Sequence, residues 1–273
     1  ISRHLIICAL WLLSASILSC RTPETAGSDP KIIGGQPTAQ STDQRAADST
    51  VQLKYIGSSP FSPGGTCTGT VIGPNHIVTA AHCIKTAPLT IFSPVDRRDF
   101  EEIKSTPHPK WWQGSDRYTH DVAVISFRAK GTSDVGVDGG KDVIPAAIAP
   151  QGVLQVGSEI ILAGFGDLEG RKVEWNTLYQ VKTKVASLRE SAREFDIESN
   201  TKKGPCHGDS GGPAFLDRDG ALLLVGATSR NADGNCEIGQ GTYTDVTRYQ
   251  GWMKCTFAAH GNPLSTLADD ESA

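Results

Sequence analysis

Three short stretches carry residue types that could act together. Thr79-Ala80-Ala81-His82-Cys83 holds a histidine, His120-Asp121-Val122-Ala123-Val124 a carboxylate, and Gly208-Asp209-Ser210-Gly211-Gly212-Pro213 a serine among glycines. A serine hydroxyl is a poor nucleophile near neutral pH and needs a base within hydrogen-bond reach to take its proton. An imidazole, with an ordinary pKa of ~6.5, can take that proton and return it to a leaving amine. A carboxylate on the second ring nitrogen would fix the tautomer and stabilise the imidazolium that forms. Taken singly, His82 reads as a structural histidine, Asp121 as a turn or cap residue and Ser210 as a loop serine. What ties them together is their order and their spacing, 39 residues from His82 to Asp121 and 89 from Asp121 to Ser210.

The elements that must position these residues are short and β-rich. Runs recur at 51–56, 68–72, 76–79, 90–92, 122–127, 159–165, 178–188, 221–229 and 241–246, with turn residues between them. Asp219-Gly220, between 213–216 and 221–225, predicts a tight hairpin, because such turns need positive φ. Two stretches predict helices, 186–195 and 247–260. In the second, Tyr249, Trp252, Met253 and Phe257 share one face, Thr247 could cap the start, and Gly261 with Pro263 could end it. The acidic end from Leu267 onward reads as frayed. Twenty-nine glycines, fifteen prolines and one methionine suit many short strands better than a helix bundle. The pattern predicts an all-β architecture, barrel or sandwich.

Charge narrows the partners. Twenty-six Lys and Arg against thirty Asp and Glu, spread without long like-charge runs, exclude a basic nucleic-acid surface and an acidic disordered tail. Arg3 and His4 precede an almost wholly apolar run from Leu5 to Leu18, which reads as a secretory signal over residues 1–19. Ile17-Leu18-Ser19-Cys20 is also similar to a bacterial lipobox, in which Cys20 would carry lipid; that would be the one membrane attachment. Residues 20–31 are polar and rich in Pro and Gly, as in a linker or propeptide, and the enzyme-like segment is 32–273.

On those three motifs and their chain order, the sequence resembles the trypsin and chymotrypsin family of serine endopeptidases, from Ile32 to the C-terminal helix. The resemblance implies two six-stranded antiparallel β-barrels with a C-terminal α-helix, and catalysis between them by His82, Asp121 and Ser210. It also implies an oxyanion hole from the N–H groups of Gly208 and Ser210. Lys31-Ile32-Ile33-Gly34-Gly35 resembles the family's activation site. Another protease would cut after Lys31, and the freed ammonium of Ile32 would pair with Asp209. Cys67 with Cys83, and Cys206 with Cys236, match family disulfides, which an oxidising compartment would form. Cys8 would leave with the signal. Either Cys20 carries lipid and Cys255 is a lone thiol, or the two join propeptide to domain; a thioether sulfur cannot form a disulfide.

By the same resemblance the substrate pocket is formed by Gly204, Pro205, His207, Ser229, Asn231 and Gly241. Gly204 stands where trypsin-like members carry an acidic residue, so a preference for Arg or Lys before the scissile bond is not expected. Gly241 would leave depth, Asn231 would narrow the mouth, and Arg230 replaces a usual aromatic residue. The expected partner is a protein or peptide substrate of a neutral or small residue preference, and the expected state a monomer. No metal or organic cofactor is implied; a zinc site lacks a second short Cys-x-x-Cys or His-x-x-x-His set. The alternative from another class is a catalytically silent homologue acting as a binding module. An α/β-hydrolase is excluded by chain order, since it needs histidine last in the chain and here His82 comes first.

Overall fold

The computed structural model describes residues 32–55, 64–84, 89–95, 99–113, 118–129, 143–166, 176–231, 236 and 240–268. The signal and propeptide stretches, Lys31, Cys8 and Cys20 therefore lie outside the described residues. Among the described residues no helix is long and apolar enough to cross a membrane.

Strands β2 (Thr50–Tyr55), β3 (Gly65–Gly73), β4 (His76–Thr79), β5 (Leu89–Phe92), β6 (Asp99–Pro107) and β7 (Ala123–Ala129) close a barrel in the order β2-β3-β4-β7-β6-β5. A second ring of six is built from β9 (Glu159–Gly164), β10 (Tyr179–Arg189), β11 (Glu194–Ile197), β12 (Pro213–Arg218), β13 (Ala221–Arg230) and β14 (Thr242–Asp245). Its order is β9-β10-β11-β14-β13-β12, and β12 pairs back onto β9. Two-residue strands β1 (Gln36–Pro37) and β8 (Ala147–Ile148) add to β10 and β13. The two expected antiparallel barrels are thus present.

Period-two alternation explains why these strands read as continuous apolar runs. In β7, Ile125 and Phe127 point into the first barrel beside Val51, Leu53 and Ile77. Val124 points the other way, into a layer shared with Val78, Ile161, Phe165 and Phe215. In β9, Ile160 and Leu162 fill the second barrel with Tyr179, Val225 and Tyr243, while Ile161 and Ala163 face the shared layer. Apolar side chains are therefore needed on both faces, and burial of both faces clamps barrel to barrel.

The C-terminal helix (Gln250–Ala259) lies across that layer, burying Met253 and Phe257. It follows a 3-10 turn, Val246–Tyr249, so the sequence's helical face is right and its start differs. The cap is Asp245, whose carboxylate accepts from the N–H and hydroxyl of Thr247 at 3.1 and 2.6 Å. Gly261, at φ +75°, ends the helix. Leu267 is buried in the shared layer, so the chain is anchored there; 269–273 lie outside the described residues.

The other expected helix, 186–195, is overturned. Strand β10 runs on to Arg189, residues Glu190–Ala192 form a 3-10 turn, Arg193 takes φ +55°, and β11 starts at Glu194. Helix-favouring residues lose here to a hairpin ladder in which Leu188 pairs with Phe195 and Arg189 with Glu194. The hairpin at Asp219-Gly220 does form, with φ +53° and +83° at the two central residues.

Candidate active site

Each barrel brings its residues to the cleft by ending a strand there. Strand β4 stops at Thr79, and the 3-10 turn Ala81–Cys83 turns His82 out of the first barrel. Asp121 stands two residues before β7, after His120 at φ +58°. Ser210 sits in the loop before β12, between buried Asp209 and Gly211. The Cys67–Cys83 bridge ties β3 to the residue after His82, and Cys206–Cys236 ties the Ser210 loop to the segment after β13. Cys255 is a free, exposed thiol. Cys and His crowd together at Cys67-His82-Cys83 and Cys206-His207-Cys236, but in both the cysteines are spent on disulfides, leaving no thiolate.

Asp121 is 1% exposed and its carboxylate is saturated with donors. Its Oδ2 lies 2.7 Å from His82 Nδ1 and accepts a hydrogen bond from Ser229 Oγ, also at 2.7 Å. Its Oδ1 accepts from the His82 backbone N–H at 2.9 Å, and Thr244 Oγ1 donates to its backbone carbonyl at 3.0 Å. A carboxylate with this many donors is fixed in orientation, and it sets the proton on His82 Nδ1. The Nε2 side of the ring is then free to accept. The Ser210 carbonyl lies 3.5 Å from Sγ of Cys83, the neighbour of His82. Gly208 holds φ +95°, a conformation glycine adopts without strain.

Asp209 is fully buried; its Oδ1 accepts from the Gly166 N–H at 2.7 Å and its Oδ2 from the Cys206 N–H at 2.8 Å. Ile32 is buried in the second barrel, and Ile33 pairs with Gly204 through two backbone hydrogen bonds of 3.0 and 3.2 Å. The chain just after Lys31 is therefore docked beside the Ser210 loop.

A cavity of about 170 Å³ opens at Ser210, lined by Pro205, Cys206, His207, Thr228, Ser229, Arg230 and Asn231. Four of the six expected pocket residues line it. Gly204 does not, being occupied by Ile33, and Gly241 lies behind Pro205, whose Cγ would stand 2.8 Å from an added Cβ. Asn231 reaches across, its Nδ2 donating to the Pro205 carbonyl at 3.1 Å. Beside it, Arg230 is held by a two-pronged pair with Glu194, 2.7 Å at each prong, and Glu194 is 3% exposed.

The sequence alone does not point to the second roles. Ser229 was expected as a pocket wall, yet its hydroxyl serves Asp121. Glu194 carries no motif, and only the β11–β14–β13 neighbourhood brings it to Arg230. Behind Asp121, His108 stacks on His120 at 4.9 Å and 10°, with Tyr249 and Trp252 edge-on. Burial, then the neighbouring His120, pushes His108 down to about 4, so its imidazole is neutral at physiological pH.

Two six-stranded barrels, a histidine–carboxylate pair and a serine at the mouth of a cavity define a chymotrypsin-like peptidase scaffold. The chain belongs to the trypsin family, whose model, described as Trypsin, matches residues 32–253. It is 29% identical to kallikrein-8 of Mus musculus over 210 residues, which cover 70% of this chain and 76% of that protein. It is 27% identical to phenoloxidase-activating factor 1 of Holotrichia diomphalia over 247 residues, 75% of this chain and 65% of that one. A solved structure of HL collagenase superposes with a TM-score of 0.65 at 21% identity, covering 83% of this chain and 99% of that one, a likeness of fold.

Proposed function

We propose that the protein is a secreted serine endopeptidase, made as a precursor and activated by cleavage after Lys31. The observation that carries this reading is the fixed His82–Asp121 pair, 2.7 Å apart, with Ser210 lining the same cleft. In the reaction, Ser210 Oγ attacks the scissile carbonyl while His82 Nε2 takes its proton, giving a tetrahedral intermediate. His82 then returns the proton to the leaving amine, and an acyl-enzyme forms. A water attacks the acyl carbon by the same route and frees Ser210. Asp121 orients His82 and offsets its transient charge without taking the proton. The N–H groups of Gly208 and Ser210 stabilise the oxyanion; one such donor is typically worth ~3 to 4 kcal/mol.

The buried Asp209 and the docked Ile32 support the activation step. Cleavage would free an ammonium at Ile32, which pairs with Asp209 and orders the Ser210 loop. Two disulfides fit an oxidising compartment, in keeping with the apolar leader at 5–18. Asn231 across the mouth, with no acidic residue lining the cavity among the described residues, supports cleavage after small or neutral residues. Digestion of a peptide library by protein cut after Lys31 tests this. Cleavage after residues such as Ala, Ser or Val, abolished by Ser210→Ala, is expected. No Ser210-dependent cleavage would overturn the function, and cleavage confined to Arg or Lys would overturn the pocket assignment.

A further inference from the structure

Thr68 stands in the middle of β3 in the first barrel, 0% exposed, yet its polar atoms serve loops of the second. Its N–H donates to the carbonyl of Ser210 at 2.8 Å. Its hydroxyl donates to the carbonyl of Gly208 at 2.9 Å and accepts from the N–H of Phe165 at 3.1 Å. The directions are forced, because a carbonyl can only accept and an amide N–H can only donate. The Thr68 carbonyl is itself fixed, accepting from Thr79 Oγ1 at 2.8 Å.

The hydroxyl thus adds a second polar link between two segments already joined by the Gly166–Asp209 hydrogen bond. Phe165 precedes Gly166, which donates to Asp209, and Gly208 packs so closely on this stretch that an added Cβ would lie 3.1 Å from Gly166 Cα. Glycine accepts φ of either sign, so the backbone at Gly208 does not by itself fix the direction of its N–H. Its carbonyl and its N–H share one Cα, so anchoring the carbonyl limits where the N–H points.

We infer that Thr68 is a positioning residue for the oxyanion hole: its hydroxyl holds the Gly208 carbonyl and, through the Cα that the two groups share, keeps the Gly208 N–H facing the reacting carbonyl oxygen. The inference rests on the assignment of Gly208 and Ser210 as oxyanion donors. Thr68 touches no substrate and acts through Gly208. Valine has nearly the shape of threonine but lacks the hydroxyl, so Thr68→Val leaves the Gly208 carbonyl buried without its donor and releases the peptide.

The test uses full-length protein cut after Lys31, as wild type, Thr68→Val and Thr68→Ser. Three quantities are read: kcat, KM on a peptide substrate, and the inhibition constant of a peptide aldehyde, whose adduct places an oxyanion in the hole. Thr68→Val is expected to lose about 10- to 100-fold in kcat, short of the loss of a whole donor, with KM within about 3-fold. Aldehyde binding weakens by the same factor, and Thr68→Ser stays within about 3-fold of wild type on all three. A kcat for Thr68→Val within 2-fold of wild type, equal losses in the Val and Ser variants, or a change in KM alone would each overturn the inference. Should Thr68→Val fail to fold, Thr68→Ala against Thr68→Ser makes the same hydroxyl comparison with the same outcomes. A wild type without Ser210-dependent turnover overturns the underlying assignment and this inference together; an active wild type matched by Thr68→Val overturns this inference alone.

Discussion

Breaking the Arg230–Glu194 pair should cost different amounts depending on which partner is removed. The Glu194 side chain is 1% exposed and that of Arg230 26%, so Arg230→Met strands a carboxylate in the interior, while Glu194→Gln leaves a half-buried guanidinium with other acceptors. Those acceptors are the Tyr118 carbonyl at 3.2 Å and Ser229 Oγ at 3.3 Å. Stranding a buried charge typically costs ~3 to 5 kcal/mol. Arg189, 4.0 Å from Glu194, offers partial compensation, which places Arg230→Met near the lower end, about 3 kcal/mol. Glu194→Gln keeps a side-chain acceptor and should cost about 1 kcal/mol. For a domain of this size that is a fall in Tm of about 6 to 12 °C against about 2 to 4 °C. The double variant Arg230→Met/Glu194→Leu should recover at least about 2 kcal/mol of the larger loss, since no charge is left behind. Thermal and denaturant unfolding in a Ser210→Ala background, which cannot digest itself, compares these three variants with the parent. Equal losses in the two single variants, or a double variant as unstable as Arg230→Met, would refute the argument.

Three further outcomes follow from the same geometry. Asn231→Gly removes the side chain that spans to Pro205, and kcat/KM for substrates with Phe or Met before the scissile bond should rise about 10-fold relative to Ala; an unchanged ratio would show that Asn231 does not set the mouth. His108 is neutral when folded and has an ordinary pKa of ~6.5 when unfolded, so the unfolded state binds more protons as pH falls below about 6.5. Stability contributed at neutral pH is lost on acidification, about 3 kcal/mol by pH 4, and His108→Phe should flatten unfolding curves over that window; identical slopes with and without His108 would contradict it. Ile32→Gly, or a Lys31 that cannot be cleaved, should leave a precursor inactive on a peptide substrate, and full activity in either would remove the activation step from the account.

The parts of this molecule that were legible in the sequence are those carried by neighbours in the chain. His82, Asp121 and Ser210 sit in short motifs, and the hairpin at Asp219-Gly220 is fixed by two residues. The strand at 159–165 was visible because burial on both faces makes Ile160, Ile161, Leu162 and Ala163 a continuous apolar run. Strand β6 was not, because Glu101, Glu102 and Lys104 interrupt the apolar signal and only Phe100 is buried. The false helix at 186–195 shows local propensity losing to strand pairing, with Arg193 in a left-handed conformation closing the hairpin. Ser229 on Asp121, Glu194 on Arg230 and Thr68 on Gly208 were illegible for one reason. Each depends on two segments, far apart in the chain, that meet only when the barrels are closed and packed.

The central claim is that Ser210 is a nucleophile activated by His82 once the chain is cut after Lys31. Incubating cut protein, uncut protein and cut His82→Ala with a fluorophosphonate, and locating the adduct by mass spectrometry, measures this directly. Rapid labelling of Ser210 alone, in the cut protein alone, is the expected result. No labelling of Ser210 in the cut protein, or equal rates in the cut wild type and His82→Ala, would contradict the account.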